Sequence, residues 1–348
     1  MHSLRSADGK AQAGGEWVLA GDIGGSKCTL NLFTRSNSSL SSLYRFSAAT
    51  RNFRSLQELF AQFRVHACEQ GYSLDNGKLI SAGFGVAGTI VGDEVVVGNL
   101  PWPIHQGTIA GALHLEAGRV LLINDLVATA LSLIHLEESD VLRLNRGEQK
   151  PHAPVALIAA GTGLGEAVLF WDGDGYQVSP SEAGLTDFAP RNDRELLLLQ
   201  SLRQHTRRVC TEEIISGRGF RVIHQAIFPD VHHAFFEDPA VDTAAHITQQ
   251  AFAGSCAACV ETLQIWTEAY GAEAGNMALR ILPFGGVYVA GGIALKILSK
   301  LKDGTFAQAF SDKLQLSRQL AKIPIFVVLN EDAPVLGAAH EALARLQS

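Results

Sequence analysis

Four acids and three glycine clusters hold most of the chemical potential of this chain: Asp22, Asp125, Glu182 and Glu212, with Gly24-Gly25-Ser26, Gly161-Thr162-Gly163 and Gly291-Gly292. Glycines let backbone N–H groups converge on an anion without side-chain obstruction. A carboxylate at the end of an apolar strand can take the proton of a hydroxyl during phosphoryl transfer. The first cluster lies in LAGDIGGSKCTLNLF, Leu19 to Phe33. Its spacing is not GxxxxGK[ST], because counting from Gly21 puts Ser26 where the second glycine belongs. Leu30 and Leu32 then alternate with Thr29 and Asn31, the period of a half-buried strand. The stretch therefore reads as strand, glycine turn, strand: a phosphate-holding hairpin or an ordinary one.

The acids also admit two readings each. Asn124-Asp125 stands where the apolar run RVLLI gives way to a helical pattern. It suits a catalytic carboxylate, and equally a helix cap. Glu182 and Asp187 lie in SPSEAGLTDFAPRN, a loop by composition, where carboxylates suit sugar hydroxyls or plain solvent. Glu212, in CTEEIISG, fits the first turn of a helix, where an acid also complements the helix dipole. Gly291-Gly292 sits between strand and helix, as a tight turn or a flat surface for a base or ribose.

The elements that must position these groups alternate between strand and helix. SLQELFAQFRVHACEQGYSL has helical spacing, and LISAGFGVAGTIVGDEVVVGN reads as strand, turn, strand. APVALIAAGTGLGEAVLFW repeats the opening theme, which suggests two related halves, each presenting a glycine turn. Long helical segments follow, then the late strand KIPIFVVLN and a terminal helix. The start, MHSLRSADGKAQAGG, lacks an apolar signal region and reads as a disordered tail. The sequon at Asn37 would matter only in a secreted protein.

Composition narrows the class. The 348 residues exceed one ordinary core and imply two domains; 47% are hydrophobic and 18% charged, as in a globular enzyme. A net charge of -7 without a basic run argues against nucleic acid or anionic membrane as partner. Five scattered cysteines suggest a reducing, cytoplasmic setting. Cys256 and Cys259 form a CxxC, but no second pair or histidine pair follows at zinc-site spacing, so no protein-bound metal is expected.

In order, GDIGGSK, AGTIVGDEVVVGNLPW, INDLVATAL, AAGTGLGEAVL, PSEAGLTDFAPRN, TEEIISGRG, GAEAGNMAL and FGGVYVAGGIALKIL resemble the bacterial glucokinases of the hexokinase–actin-like superfamily, most of all the cyanobacterial and proteobacterial group. The resemblance runs from Trp17 to the terminal helix. It implies an α/β, two-lobed actin-like (ribonuclease H-like) fold with a ligand cleft, and transfer of the γ-phosphoryl of Mg-ATP to the 6-hydroxyl of glucose. The lobes implied are 17–124 and 125–332, with residues 1–16 as tail and the helix 333–348 returning to the first lobe. Carried over residue by residue, Asp125 matches the catalytic base, and Asn124, Glu182, Leu185 and Glu212 fall on sugar-binding positions. Gly24, Gly25 and Ser26 match the first phosphate hairpin, with Asp22 near magnesium; Gly161, Thr162 and Gly163 match the second; Gly291 and Gly292 match the adenosine-side turn. A homodimer is implied as well. The alternatives are a kinase for another sugar and a sugar-sensing pseudokinase. One departure stands out: where the family reads E-G-G-H, this chain reads Glu182-Ala183-Gly184-Leu185. Leucine removes a hydrogen-bonding partner of the sugar, and alanine is expected to restrict the turn.

Overall fold

A computed structural model describes residues 15–36, 39–97, 100–238 and 241–346. Most of the expected tail and Asn37 of the sequon lie outside these residues. The chain forms two compact units. One comprises the described residues up to His135 with those from Asp332 onward; the other is Leu136–Glu331.

In the first unit the strands are β1 (Trp17–Ile23), β2 (Lys27–Ser36), β3 (Ser39–Ala49), β4 (Leu79–Val86), β5 (Thr89–Val91), β6 (Glu94–Val97) and β7 (Val120–Asn124). The helices are α1 (Leu56–Glu69), α2 (Gln106–Leu113) and α3 (Asp125–Ser132). The main sheet has the order β3-β2-β1-β4-β7. Its first three strands form an antiparallel meander, and β1, β4 and β7 run parallel. Both faces are covered. Leu19 and Ile23 of β1 pack in a core with Phe60 and Phe63 of α1, while Val18 and Ala20 pack with Ala128 of α3 and Ala338 and Ala342 of the terminal helix Ala333–Ala344. Burial on both faces is why β1 reads as a nearly continuous apolar run.

The lobe boundary expected after residue 124 falls eleven residues later, between His135 and Leu136. The reason is packing: α3 lies so close to the terminal helix that a Cβ on Gly337 would stand 1.9 Å from the carbonyl oxygen of Ala128. Only glycine permits that approach. Arg45 of β3 binds Asp332 through two parallel hydrogen bonds, anchoring the returning chain at the foot of this helix.

In the second unit the strands are β8 (Val141–Arg143), β9 (Val155–Ala160), β10 (Leu164–Trp171), β11 (Tyr176–Ser181), β12 (Gly286–Ala290) and β13 (Ile325–Val328), in the order β11-β10-β9-β12-β13-β8. The helices are α4 (Asp193–Leu202), α5 (Thr211–Ile214), α6 (Gly217–Ile227), α7 (Thr243–Ala253), α8 (Ala257–Ile281), α9 (Gly292–Lys296), α10 (Leu298–Lys302), α11 (Thr305–Ser311) and α12 (Ser317–Leu320). Again an antiparallel meander, β9-β10-β11, leads into parallel neighbours, β9-β12-β13. The core gathers Ile158, Val287, Val289 and Val327 of the sheet around Trp266 and Tyr270 of α8. Among the described residues, no helix is long and apolar enough to cross a membrane.

Candidate active site

The opening glycine stretch is the β1–β2 hairpin, whose strands pair from Trp17↔Thr34 to Ile23↔Cys28. The turn closes with the Gly24 N–H donating to the Lys27 carbonyl at 3.0 Å, which puts Gly25 and Ser26 at its exposed tip. Thr50 holds it from the side. Its hydroxyl donates to the Gly24 carbonyl at 2.6 Å, and its N–H donates to the Ser26 carbonyl at 3.0 Å. Nothing in the sequence points to Thr50, because a tether from 26 residues away leaves no local pattern.

Asp22 sits one residue before the end of β1, and burial pushes its carboxyl pKa up to about 7. The neighbouring carboxylates of Asp125 and Asp332 add to the rise, and Lys27 opposes it. Asp125 is the first residue of α3, at the carboxyl end of the parallel strand β7. Burial also raises its pKa, against the lowering effect of the Leu126 N–H, which donates to Oδ1 at 2.9 Å. Asn124 caps α3: its Oδ1 accepts from the N–H groups of Leu126 at 2.9 Å and Val127 at 3.3 Å, and its Nδ2 donates to the Gly88 carbonyl at 3.1 Å. The capping reading of Asn-Asp is therefore realised, and it fixes where the adjacent carboxylate stands.

In the second unit the hairpin between β9 and β10 carries Gly161, Thr162 and Gly163. The Tyr270 hydroxyl steadies the end of β9, donating to the Ile158 carbonyl at 3.1 Å and accepting from the Ala160 N–H at 3.3 Å. The Gly161 N–H donates to the Gly163 carbonyl at 2.8 Å, and the Gly161 carbonyl accepts from Gly217 at the start of α6, also at 2.8 Å. Gly291 follows β12 with φ of 90°, and a Cβ there would meet the Ala160 carbonyl at 2.5 Å. The turn at Gly291-Gly292 is thus built directly against the hairpin.

Leu164, the residue after the hairpin turn, is contacted by Glu212 and by Gly184 of the loop that follows Glu182. Its N–H donates to Glu212 Oε2 at 3.0 Å, and its carbonyl lies 2.2 Å from where a Cβ of Gly184 would be. Gly184 belongs to the single 3₁₀ turn Ala183–Leu185 that follows Glu182. The same loop is pinned to α5, with the Thr211 N–H donating to the Thr186 carbonyl at 2.9 Å. Glu212 also pairs with Arg218 at 3.5 Å. Glu182 and Thr162 are exposed.

Leu185 is 50% exposed, and Asp187, the other acid of its loop, is engaged by Arg208. Two expectations change. Ala183 does not restrict its turn: its φ is not in the left-handed region, so alanine fits where the family has glycine. The other concerns the CxxC, which does not stand alone: His224 and His233 lie beside Cys256 and Cys259. The histidine pair precedes the cysteines in sequence, so zinc-site spacing sought downstream of the CxxC passes over it.

The glucokinase family model matches residues 19–345. A glucokinase of a Nostoc species is 38% identical over 341 residues, spanning 92% of this chain and 97% of that relative. Among solved structures, a glucokinase from an Antarctic psychrotroph superposes with a TM-score of 0.80 at 26% identity, covering 94% of this chain and 99% of that one. A glucokinase of the ROK family from Streptomyces griseus, solved with glucose and AMPPNP, shares the fold with a TM-score of 0.61 at 18% identity, covering 94% and 99%. The chain belongs to the glucokinase family.

Proposed function

We infer that this chain is an ATP-dependent glucokinase, making glucose 6-phosphate by moving the γ-phosphoryl group of ATP to the 6-hydroxyl of glucose. Asp125 carries the reading at the level of residues. It stands at the carboxyl end of a parallel strand, oriented by its own helix cap, with a pKa raised by burial. A carboxylate made more basic in this way is suited to take the hydroxyl proton as the phosphoryl group arrives. The sugar oxygen then bonds to phosphorus, the bond to the β-phosphate oxygen breaks, and ADP leaves.

In the first unit, Asn124 keeps Asp125 oriented and contributes to sugar binding, and Gly24, Gly25 and Ser26 offer backbone N–H groups to phosphate oxygens. Asp22 fits a role beside magnesium. Its carboxyl is buried next to two other carboxylates, an excess of negative charge that a cation would relieve. Bound as Mg-ATP, the ion would neutralise charge on the transferring group. In the second unit, Glu182 and Glu212 accept hydrogen bonds from sugar hydroxyls. Gly161, Thr162 and Gly163 approach phosphate, and Gly291-Gly292 offers a side-chain-free surface to the nucleoside. A homodimer and a cytoplasmic setting complete the proposal. Family resemblance supports the first, and five free cysteines support the second.

Asp125→Ala tests the assignment. Turnover should fall by about 10²–10⁴-fold, the usual range for a general base, with ATP affinity little changed. Near-normal turnover in a coupled assay of ADP release would remove Asp125 from the reaction.

A further inference from the structure

We propose that His224, His233, Cys256 and Cys259 form a closed, structural zinc site in the second unit. Each residue offers one ligand atom, and the four atoms lie within 4.8 Å of one another. His233 Nε2 is 3.7 Å from Cys256 Sγ and 3.6 Å from Cys259 Sγ. Tetrahedral zinc, with Zn–S of about 2.3 Å and Zn–N of about 2.0–2.1 Å, sets sulfur and nitrogen ligands about 3.5 Å apart. The side chains thus stand close to the edge lengths of that coordination polyhedron.

A second observation points to a ligand independently. Both ring nitrogens of His224 are buried with no hydrogen-bond partner, and the residue is 0% exposed. Buried polar atoms almost always find partners. A metal bond to one nitrogen would supply what the protein does not.

The ligands come from three separate segments: α6, the turn after it and the start of α8. His224 lies near the end of α6, and His233 precedes the short turn Ala234–Phe236. Cys256 caps α8, accepting from the Cys259 N–H at 3.4 Å, and Cys259 is in the first turn. The ring of Phe236 contacts both histidines, and Phe235 stacks on His233 at 4.7 Å, forming an apolar wall. Two thiols and two imidazoles select zinc over the oxygen-seeking magnesium of the nucleotide. All four positions are filled by protein, the hallmark of a structural rather than a catalytic site. Its effect would be to staple the segment after α6 onto α8. That holds the far end of the helix whose first residue, Gly217, braces the glycine turn at Gly161.

The test uses the full chain, purified under reducing conditions from zinc-supplemented cells and dialysed against metal-free buffer. Elemental analysis should find about one zinc per chain, the content of a single closed site. Replacement by Co²⁺ should give the intense visible bands of tetrahedral cobalt together with sulfur-to-cobalt charge transfer. His233→Ala and Cys259→Ser should lose the metal, while Cys68→Ser, altering an exposed cysteine of the first unit, should keep it. If the variants fail to fold, release of zinc from the unaltered protein by an organomercurial thiol reagent carries the same information. Zinc well below stoichiometry with no tetrahedral cobalt spectrum would overturn the proposal. So would a Cys256–Cys259 disulfide in the reduced preparation, detected by mass.

Discussion

The two units solve one problem with different chemistry. Each builds an antiparallel meander whose first strand also runs parallel to the next, and each puts a glycine turn at the first hairpin. In the first unit the turn is tethered by a neutral hydroxyl, that of Thr50, and the charge lies on the strand, at Asp22. In the second, the tether itself is charged: Glu212 binds the N–H of Leu164 at the foot of the turn. No acid stands at the end of β9, where the last residues are Ala159 and Ala160. A neutral tether is free to serve geometry alone. A charged one couples the shape of the proposed phosphate turn to a carboxylate that also belongs to the proposed sugar site.

That difference predicts unequal sensitivity. Glu212→Gln weakens a charge-assisted hydrogen bond as well as the proposed sugar contact. Such a bond is worth about 1.5–3 kcal/mol, so kcat/KM for glucose should drop roughly 10- to 150-fold. Gly163→Ala should imitate it, because the new Cβ would stand 2.5 Å from Glu212 Oε2 and force the carboxylate aside. The double variant should be no worse than the poorer single one, since both act on one contact. Additive losses, measured in steady-state kinetics of all three proteins, would mean that the turn and the carboxylate are independent.

The charged strand end of the first unit makes a different prediction, about stability. Asp22 has a folded pKa near 7, above the ordinary 3.8, so folding takes up a proton between these values. Its stabilising contribution is complete below 3.8 and is lost as pH rises through 7. Asp22→Asn should therefore match the natural protein near pH 4 and exceed it at pH 8, by up to about 4 kcal/mol, since the shift spans about three tenfold changes in proton affinity, each worth about 1.4 kcal/mol. Activity should be lost with the carboxylate. Melting temperatures across this pH range would settle it; an equal gain at every pH would show that Asp22 is not strained by its charge.

The Thr50 tether should matter less. Thr50→Val removes the hydroxyl's bond to Gly24 and its contact with the Cys28 thiol; the bond to the turn is worth about 0.5–1.5 kcal/mol, so KM for ATP should rise only about 2- to 13-fold. A loss as large as that from Glu212→Gln would erase the contrast between the two turns. Thr50 also marks where sequence reading stops. The apolar run of β1, the alternation of β2, the β7-to-α3 switch at Asn124 and the strand and helix flanking Gly291 are legible, because each is a local pattern broken by a local signal. The position of α3 is not legible. It depends on Gly337 meeting Ala128 across more than two hundred residues, so the boundary expected at 124 moves past the helix. The convergence of Gly184 and Glu212 on Leu164 is likewise hidden, since a turn and a helix distant in sequence meet on the backbone of one residue.

Leu185 carries the smallest expected effect. In the family the position holds a histidine that bonds the sugar. Were Leu185 buried, a glucose hydroxyl facing it would lose its partner and keep the full desolvation cost. At 50% exposure, water can serve that hydroxyl instead, at little cost in affinity. What a histidine would add is then one net hydrogen bond. At about 0.5–1.5 kcal/mol, Leu185→His should tighten glucose binding only about 2- to 13-fold. Adding Ala183→Gly should bring no further gain, because the turn already accepts alanine without a left-handed φ, and the glycine would only loosen the unfolded chain. Calorimetric titration of both variants with glucose distinguishes these cases. A further gain from glycine would mean that the turn is strained by its alanine after all. An unchanged affinity in Leu185→His would place the side chain away from the sugar and leave Glu182 and Glu212 as the second unit's proposed contacts to it.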